Sequence, residues 1–275
     1  MSDIDQATAN DQTAAGSQPE TDSGRVARRR VRYRSRGFPH GRVLLVDALT
    51  LVVLLSPGLA GWAAFVSYVR HFWPSPHFVA WMLGAPLVLA GTFLIATRLV
   101  RLVIPAVEPG AYEIGTGKRF LGWYLNLYLG HAVRVAGLQP FFFASHITKY
   151  LYWRAMGARI TFGVNSSIFA TLADYPLITI GKECTLGAHC FISGHIFVGN
   201  KVVLSRVEIG DNVLVGMGTF VGPGTTIGSG SWIGMHNRLI RDHVPENTKI
   251  DNFEWERFNP ARSSNPAPPA AEGES

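Results

Sequence analysis

Four side chains in this sequence have types and positions that could do chemistry: His189, His195, His236 and Asp174. Unperturbed imidazole titrates at about pH 6.5, so a histidine can take and return a proton near neutrality, and when neutral it can ligate a metal. His195 is set apart by its place in the chain. The histidines lie in a stretch with a six-residue period, and His195 comes just before the only break in that register, between Val198 and Ile209. A loop must leave the scaffold there, and loops on a rigid scaffold commonly line its site. Asp174, in ADYPLITIG, carries a carboxylate that can accept hydrogen bonds from a hydroxyl or orient an amine. It equally suits a corner, bonding its own backbone. Three histidines also raise a zinc site. Counting six-residue steps puts His189, His195 and His236 on three different faces of a triangular coil. They would not converge within one subunit, although ligands from two subunits remain an alternative.

The element that positions these residues is the repeat itself. Aliphatic residues recur at Ile180, Leu186, Ile192 and Val198, then at Ile209, Val215, Val221, Ile227, Ile233 and Leu239. Glycine follows directly at Gly181, Gly187, Gly199, Gly210, Gly216, Gly222, Gly228 and Gly234. Small or branched residues sit four places on, at Cys184, Cys190, Val202, Val213, Thr219, Thr225 and Ser231. A period of six fits neither a helix face nor an alternating strand. It fits a solenoid in which each hexad supplies a short strand and a corner, and three hexads close a coil. The aliphatics point inward, and glycine is expected to permit the corner's backbone angle. The two cysteines occupy one inward slot in adjacent hexads, which reads as packing; no CxxC spacing is present. The solenoid is expected to begin near Ile160, to be irregular through TFGVNSSIFATLADYPL, and to end near Val244–Pro245.

The repeat, most of all VEIGDNVLVGMGTFVGPGTTIGSGSWIG, resembles the left-handed β-helix hexapeptide-repeat acyltransferases. The resemblance implies a mainly β fold, a left-handed parallel β-helix over about residues 160–250, and a homotrimer with sites between subunits. In that family a histidine before such a loop, followed by a strand like VEIGDNVLVG, is the general base. His195 is the residue that matches. Asp174 matches an aspartate that contacts the acceptor. The pantetheine arm of the acyl-CoA co-substrate lies in a groove between subunits, held just after the glycines of two coils. Those places are Met217 and Met235, where the family usually has small residues. Arg241, in LIRDHVPENT, matches a basic residue beside the CoA phosphates. No metal cofactor is implied, although the β-helix carbonic anhydrases share the fold and use three histidines. FISGHIFVGNKVVLSRVEIG also resembles the β-helix end of membrane-bound nonribosomal-peptide-synthetase-like proteins. That makes a carrier-protein thioester a second candidate donor. A non-catalytic membrane scaffold is the main alternative from another class.

Upstream, the composition points to a membrane. Hydrophobic residues make up 47% of the chain and charged residues only 16%, which asks for a membrane segment or a very large core. Residues 1–24 hold five acids and no Lys or Arg, and eight Arg lie between Arg25 and Arg42. Residues 1–42 therefore read as a disordered, Arg-rich juxtamembrane tail. No nucleic-acid motif or stacking platform accompanies the basic run. Residues 43–104 read as a two-helix transmembrane hairpin, Val43–Val69 and Phe78–Thr97. Its blemishes are Pro57 and Asp47, the latter read as a paired interfacial charge. The loop HFWPSPH has no Lys or Arg, while Arg98 and Arg101 follow the second span. The positive-inside rule then places both termini and the β-helix in the cytoplasm of an inner membrane. Residues 105–159 read as amphipathic connecting helices, with Phe120, Trp123, Tyr124 and Tyr128 in one and Lys149, Tyr150, Tyr152, Trp153 and Arg154 in the other. They suit a membrane surface or the open end of the β-helix, and the two readings are compatible. Residues 251–275 read as a disordered tail. Taken with the resemblance, this membrane attachment implies a lipid-linked or cell-envelope acceptor.

Overall fold

The computed structural model describes residues 40–115 and 117–251. The tail expected over residues 1–42 falls almost wholly outside the described residues, as does residue 252 onward of the expected C-terminal tail.

From Arg159 to Ile250 the chain winds into a parallel β-helix of about five turns. Face one stacks Arg159–Ile160, Ile178–Ile180, Val207–Ile209, Thr226–Ile227 and His243–Val244. Face two stacks Asn165–Ser166, Thr185–Leu186, Leu214–Val215, Trp232–Ile233 and Lys249–Ile250. Face three stacks Thr171–Ala173, Phe191–Ser193, Phe220–Val221 and Arg238–Leu239. All these pairs are parallel and in register, with Ile180 on Ile209 and Ile209 on Ile227. The inward aliphatics from Ile180 to Leu239, Val198 excepted, are buried. Each such side chain stabilises the coil by about 1.5–3 kcal/mol relative to exposure. Cys184 and Cys190 are buried free thiols in the inward slots.

Two details differ from the sequence reading. Val198 keeps the six-residue count but is 59% exposed, because it lies in a hairpin outside the coil. The chain leaves the coil at Gly194, not after Val198. The glycines that follow the aliphatics also serve another purpose. Within the coils, Gly199 of the hairpin excepted, their φ angles lie outside the left-handed region, whereas a Cβ on Gly210 would sit 2.7 Å from the Ser229 nitrogen of the next coil. Glycine is there so that successive coils can stack. The left-handed corner falls two residues later, at Glu183, His189, Asn212, Gly218, Gly224, Gly230 and His236.

The excursion is an antiparallel hairpin of His195–Val198 and Lys201–Leu204. Gly199, at φ 58, opens its two-residue turn. The strand Lys201–Leu204 also pairs with β1 (Gly110–Glu113), giving a three-stranded sheet beside the solenoid.

Helices precede the coils. α1 (His40–Phe72), α2 (Phe78–Met82) and α3 (Ala85–Val103) form a hairpin. Val43–Phe72 and Phe78–Val103 are long and apolar enough to cross a membrane. α1 runs past the expected end of the first span and takes Arg70 and His71 into its last turn. α4 (Lys118–Leu129), α5 (Ala132–Val135), α6 (Gln139–Phe143) and α7 (His146–Ala155) then close the first-coil end of the β-helix. Leu129, Tyr152, Trp153 and Met156 share one core with Ile160, Val164 and Ile178. Trp123 and Phe120 form a second core with Leu177, Val202 and Leu204 of the hairpin region. These aromatics therefore pad the solenoid. Lys149 is buried among them, its ammonium 5.5 Å from the Trp153 ring and 3.5 Å from the Ser166 carbonyl oxygen. Burial lowers its pKa.

Candidate active site

The edge between face three and face one holds the most connected polar cluster in the described chain. Asp174 sits there at φ 60, ψ 46, a left-handed residue opening the 3-10 turn Tyr175–Leu177. A short polar side chain tolerates this conformation better than most. One coil later the chain departs into the hairpin, and His195 is its first residue. Coil stacking brings the two together: His195 Nδ1 lies 2.6 Å from Asp174 Oδ2.

The carboxylate has no exposed side-chain surface, and His195 keeps 16% of its own. Asp174 Oδ1 accepts from the Trp123 indole N–H at 2.7 Å. Oδ2 also accepts from the Gly194 amide at 3.0 Å and the Ser193 hydroxyl at 3.3 Å. An ionised carboxylate only accepts, so the hydrogen of the 2.6 Å contact belongs to His195 Nδ1. This leaves Nε2 as the free, proton-accepting nitrogen. The imidazole is held at its edges by aromatic rings, with Trp123 at 5.0 Å and Phe197 at 5.8 Å between centroids. A buried acid fixing the tautomer and orientation of a partly exposed imidazole is the arrangement a general base requires.

The other sequence candidates fall elsewhere. The resemblance implies that Asp174 meets an acceptor, but it lies beneath His195 with both oxygens engaged. Arg241 is exposed, at φ 57, on the same edge two coils beyond His195. Met217 and Met235 stack in successive coils on a different edge, between faces two and three, where the His236 amide donates to the Met217 carbonyl at 2.9 Å. Met217 is 42% exposed. His189 and His236 share that second edge, contrary to the expectation of three separate faces. Both are exposed corner residues in left-handed conformation, and His189 stacks on Phe169 at 5.1 Å. His195 does not approach them. Among the described residues, no group of three His, Cys, Asp or Glu is placed to hold a metal. Burial raises both thiols, Cys190 to about 12, so neither is a ready nucleophile.

Sequence reasoning missed Trp123, Ser193 and the Gly194 amide. Trp123 gives no signal by spacing, being 51 residues from Asp174 on a helix rich in aromatics. Ser-Gly before His195 is a usable signal. A Cβ at Gly194 would meet Leu177 at 2.9 Å, so only glycine brings this amide to the carboxylate.

No family model and no curated protein matches this sequence. Among solved structures, a hexapeptide-repeat-containing acetyltransferase from Vibrio cholerae aligns over 45% of this chain and 87% of its own, at 16% identity and a TM-score of 0.32. Galactoside acetyltransferase in complex with coenzyme A aligns over 48% and 78%, at 19% identity and 0.35. A serine acetyltransferase from Brucella abortus strain S19, also with coenzyme A, aligns over 76% and 78%, at 13% identity and 0.23. At such identities and scores the overlaps add nothing to the coil geometry, which defines the β-helix by itself.

Proposed function

We propose that this chain is a membrane-anchored acyltransferase, most simply an acetyltransferase, with His195 as general base. The observation that carries the reading is the 2.6 Å contact between His195 Nδ1 and the buried Asp174 carboxylate. Nε2 removes the proton from an acceptor hydroxyl or amine. The acceptor's oxygen or nitrogen attacks the carbonyl carbon of an acyl thioester, the C–S bond breaks, and the proton passes from Nε2 to the departing thiolate. Asp174 acts as the positioning residue and stabilises the imidazolium formed midway. Acyl-CoA is the proposed donor, on the resemblance of the repeat motif, with a carrier-protein thioester as the second choice.

His195 and the Met217–Met235 edge belong to different corners of one prism. Donor and base therefore meet only if neighbouring copies supply them, which favours the homotrimer. Arg241, on the His195 edge, would face the donor's phosphates by charge. The two long apolar helices favour a membrane location, and the arginines at their outer ends, Arg25 to Arg42 with Arg98 and Arg101, favour an inner membrane with the β-helix in the cytoplasm. A lipid-linked or envelope-precursor acceptor follows from that location.

The test is thiol release from acetyl-CoA by the full chain in detergent or vesicles, with envelope-precursor lipids and sugars as acceptors. His195→Ala should lower turnover by about 10²–10⁴-fold, the usual contribution of a positioned base, without changing the melting temperature. Unchanged turnover in that variant, or a monomer by light scattering, would remove the mechanism. Failure to bind CoA or a carrier thioester would favour the scaffold reading.

A further inference from the structure

α5 docks against the middle of the first apolar span. The Trp62 indole donates to the Ala136 carbonyl at 3.1 Å, and a Cβ on Gly58 would sit 3.0 Å from the Ala136 Cβ. On the returning helix, Phe93 is fully buried and packs its ring 5.5 Å from Phe142 of α6. These contacts fix the depth of the cap. Trp62 lies about 15 Å from the end of α1 at Phe72, at 1.5 Å per residue, and Phe93 about 12 Å from the start of α3 at Ala85. The hydrocarbon core of a bilayer is about 30 Å thick. The last turn of α1 carries Arg70 and His71 and the turn after it Ser75 and His77, all of which belong in headgroups and not in hydrocarbon. With the turn at the far interface, the level of Trp62 and Phe93 is still inside the membrane.

We propose that α5 and α6, with the outer face of α7, are immersed in the hydrocarbon of the leaflet nearer the β-helix, and that the surface they present is covered by lipid. This rests on the membrane reading above. The apolar outward residues suit that occupant, Val135 being 55% exposed, Phe141 36%, Ile147 60% and Leu151 46%, while the exposed His131, Arg134, Ser145 and His146 mark where the segment must reach headgroups or water. Val135 continues the apolar surface of α1, with a crevice of about 140 Å³ between them lined by Leu54, Leu55, Gly58, Leu59, Val135 and Ala136. Backbone polar groups in hydrocarbon must be satisfied inside the protein. Beyond the end of α5, the Ala136 carbonyl is satisfied by the Trp62 indole, and the Gly137 and Leu138 amides donate to the Arg134 and Val133 carbonyls. Arg134 turns its guanidinium toward Gln139 and Thr171 of the first coil. The consequence for chemistry is access. α4, which carries Trp123 of the site, packs against both α1 and α3, so the His195 edge is tied to a platform within the bilayer.

The test is nitroxide labelling of single cysteines in the full chain, reconstituted in phospholipid vesicles. Cys184 and Cys190 are fully buried and need no replacement. Val135→Cys, Phe141→Cys and Ile147→Cys report on the cap, Val66→Cys on the half-exposed apolar face of α1 and Lys182→Cys on an exposed solenoid corner. The expected result is that cap labels collide with oxygen but are shielded several-fold from an aqueous nickel chelate, as at Val66, while Lys182 is open to the chelate. Cap labels as open as Lys182, with Val66 still shielded, would overturn the immersion and leave the membrane anchor standing. Val66 open as well would overturn both. Three independent cap positions guard against one variant that does not fold.

Discussion

The coils from Ile209 to Leu239 and the edge that carries Asp174 and His195 are built from the same chain by opposite rules. In the regular coils every slot repeats: a buried aliphatic, a glycine pressed against the next coil, a left-handed corner and a small inward residue. At the edge of Asp174 and His195 no slot repeats. Asp174 opens a 3-10 turn, Gly194 approaches a carboxylate, and the hairpin leaves the solenoid altogether. Yet Ile180 still stacks in register on Ile209 across the excursion. A periodic core makes its three edges equivalent, and equivalent edges cannot hold a unique site. The insertion breaks that equivalence without disturbing the strand ladder, so stability and chemistry are separable here.

Asp174→Asn should have the largest effect on the His195 edge and the least on the coils. The amide keeps the shape but no longer holds the Nδ1–H form of His195 by charge. Turnover should fall by about 10²–10⁴-fold, the contribution of a positioned base. The drop should appear in kcat more than in the donor KM. A variant that keeps its turnover would move the site off this edge.

Trp123→Phe comes next. It keeps most of the ring packing and removes one hydrogen bond to a charged group, worth about 1.5–3 kcal/mol. Turnover should fall about tenfold or more if that bond fixes the carboxylate for catalysis. A loss of melting temperature with unchanged kcat would make Trp123 a packing residue only. In the regular region the balance should reverse. Gly210→Ala places a Cβ 2.7 Å from backbone that cannot yield, on the edge between faces one and two. It should cost about 1–3 kcal/mol of stability, as overpacking does, read by denaturant or thermal melts. Turnover per folded molecule should stay the same.

The two regions are also unequally legible in the sequence. The regular coils can be read at once, because hardly any fold but a solenoid needs an inward aliphatic at every sixth residue. Even there the reason for the glycines cannot be read, since a stacked neighbour leaves no mark in local sequence. His195 is legible through the lapse in register, although the six-residue count runs on by coincidence to Val198. Asp174 can be picked out but its role cannot, because coil stacking alone brings it under His195. Trp123 is invisible: its contact crosses from a capping helix to the solenoid, and its aromatic neighbours look like any buried or membrane-facing helix.

The smallest expected effect distinguishes the corner histidines from the proposed base, His195. His189 sits at φ 56 in a slot that Gly218, Gly224 and Gly230 fill in later coils. A left-handed conformation costs a non-glycine residue roughly 1–2 kcal/mol. His189→Gly relieves that cost, loses the stack on Phe169, and adds the backbone entropy of glycine, roughly 0.5–1 kcal/mol. These terms nearly cancel, so stability should move by less than about 1 kcal/mol and turnover should not move at all. A large loss of turnover would show that the edge between faces two and three also does chemistry. It would return the three-histidine metal site, completed between subunits, as the better account of this repeat.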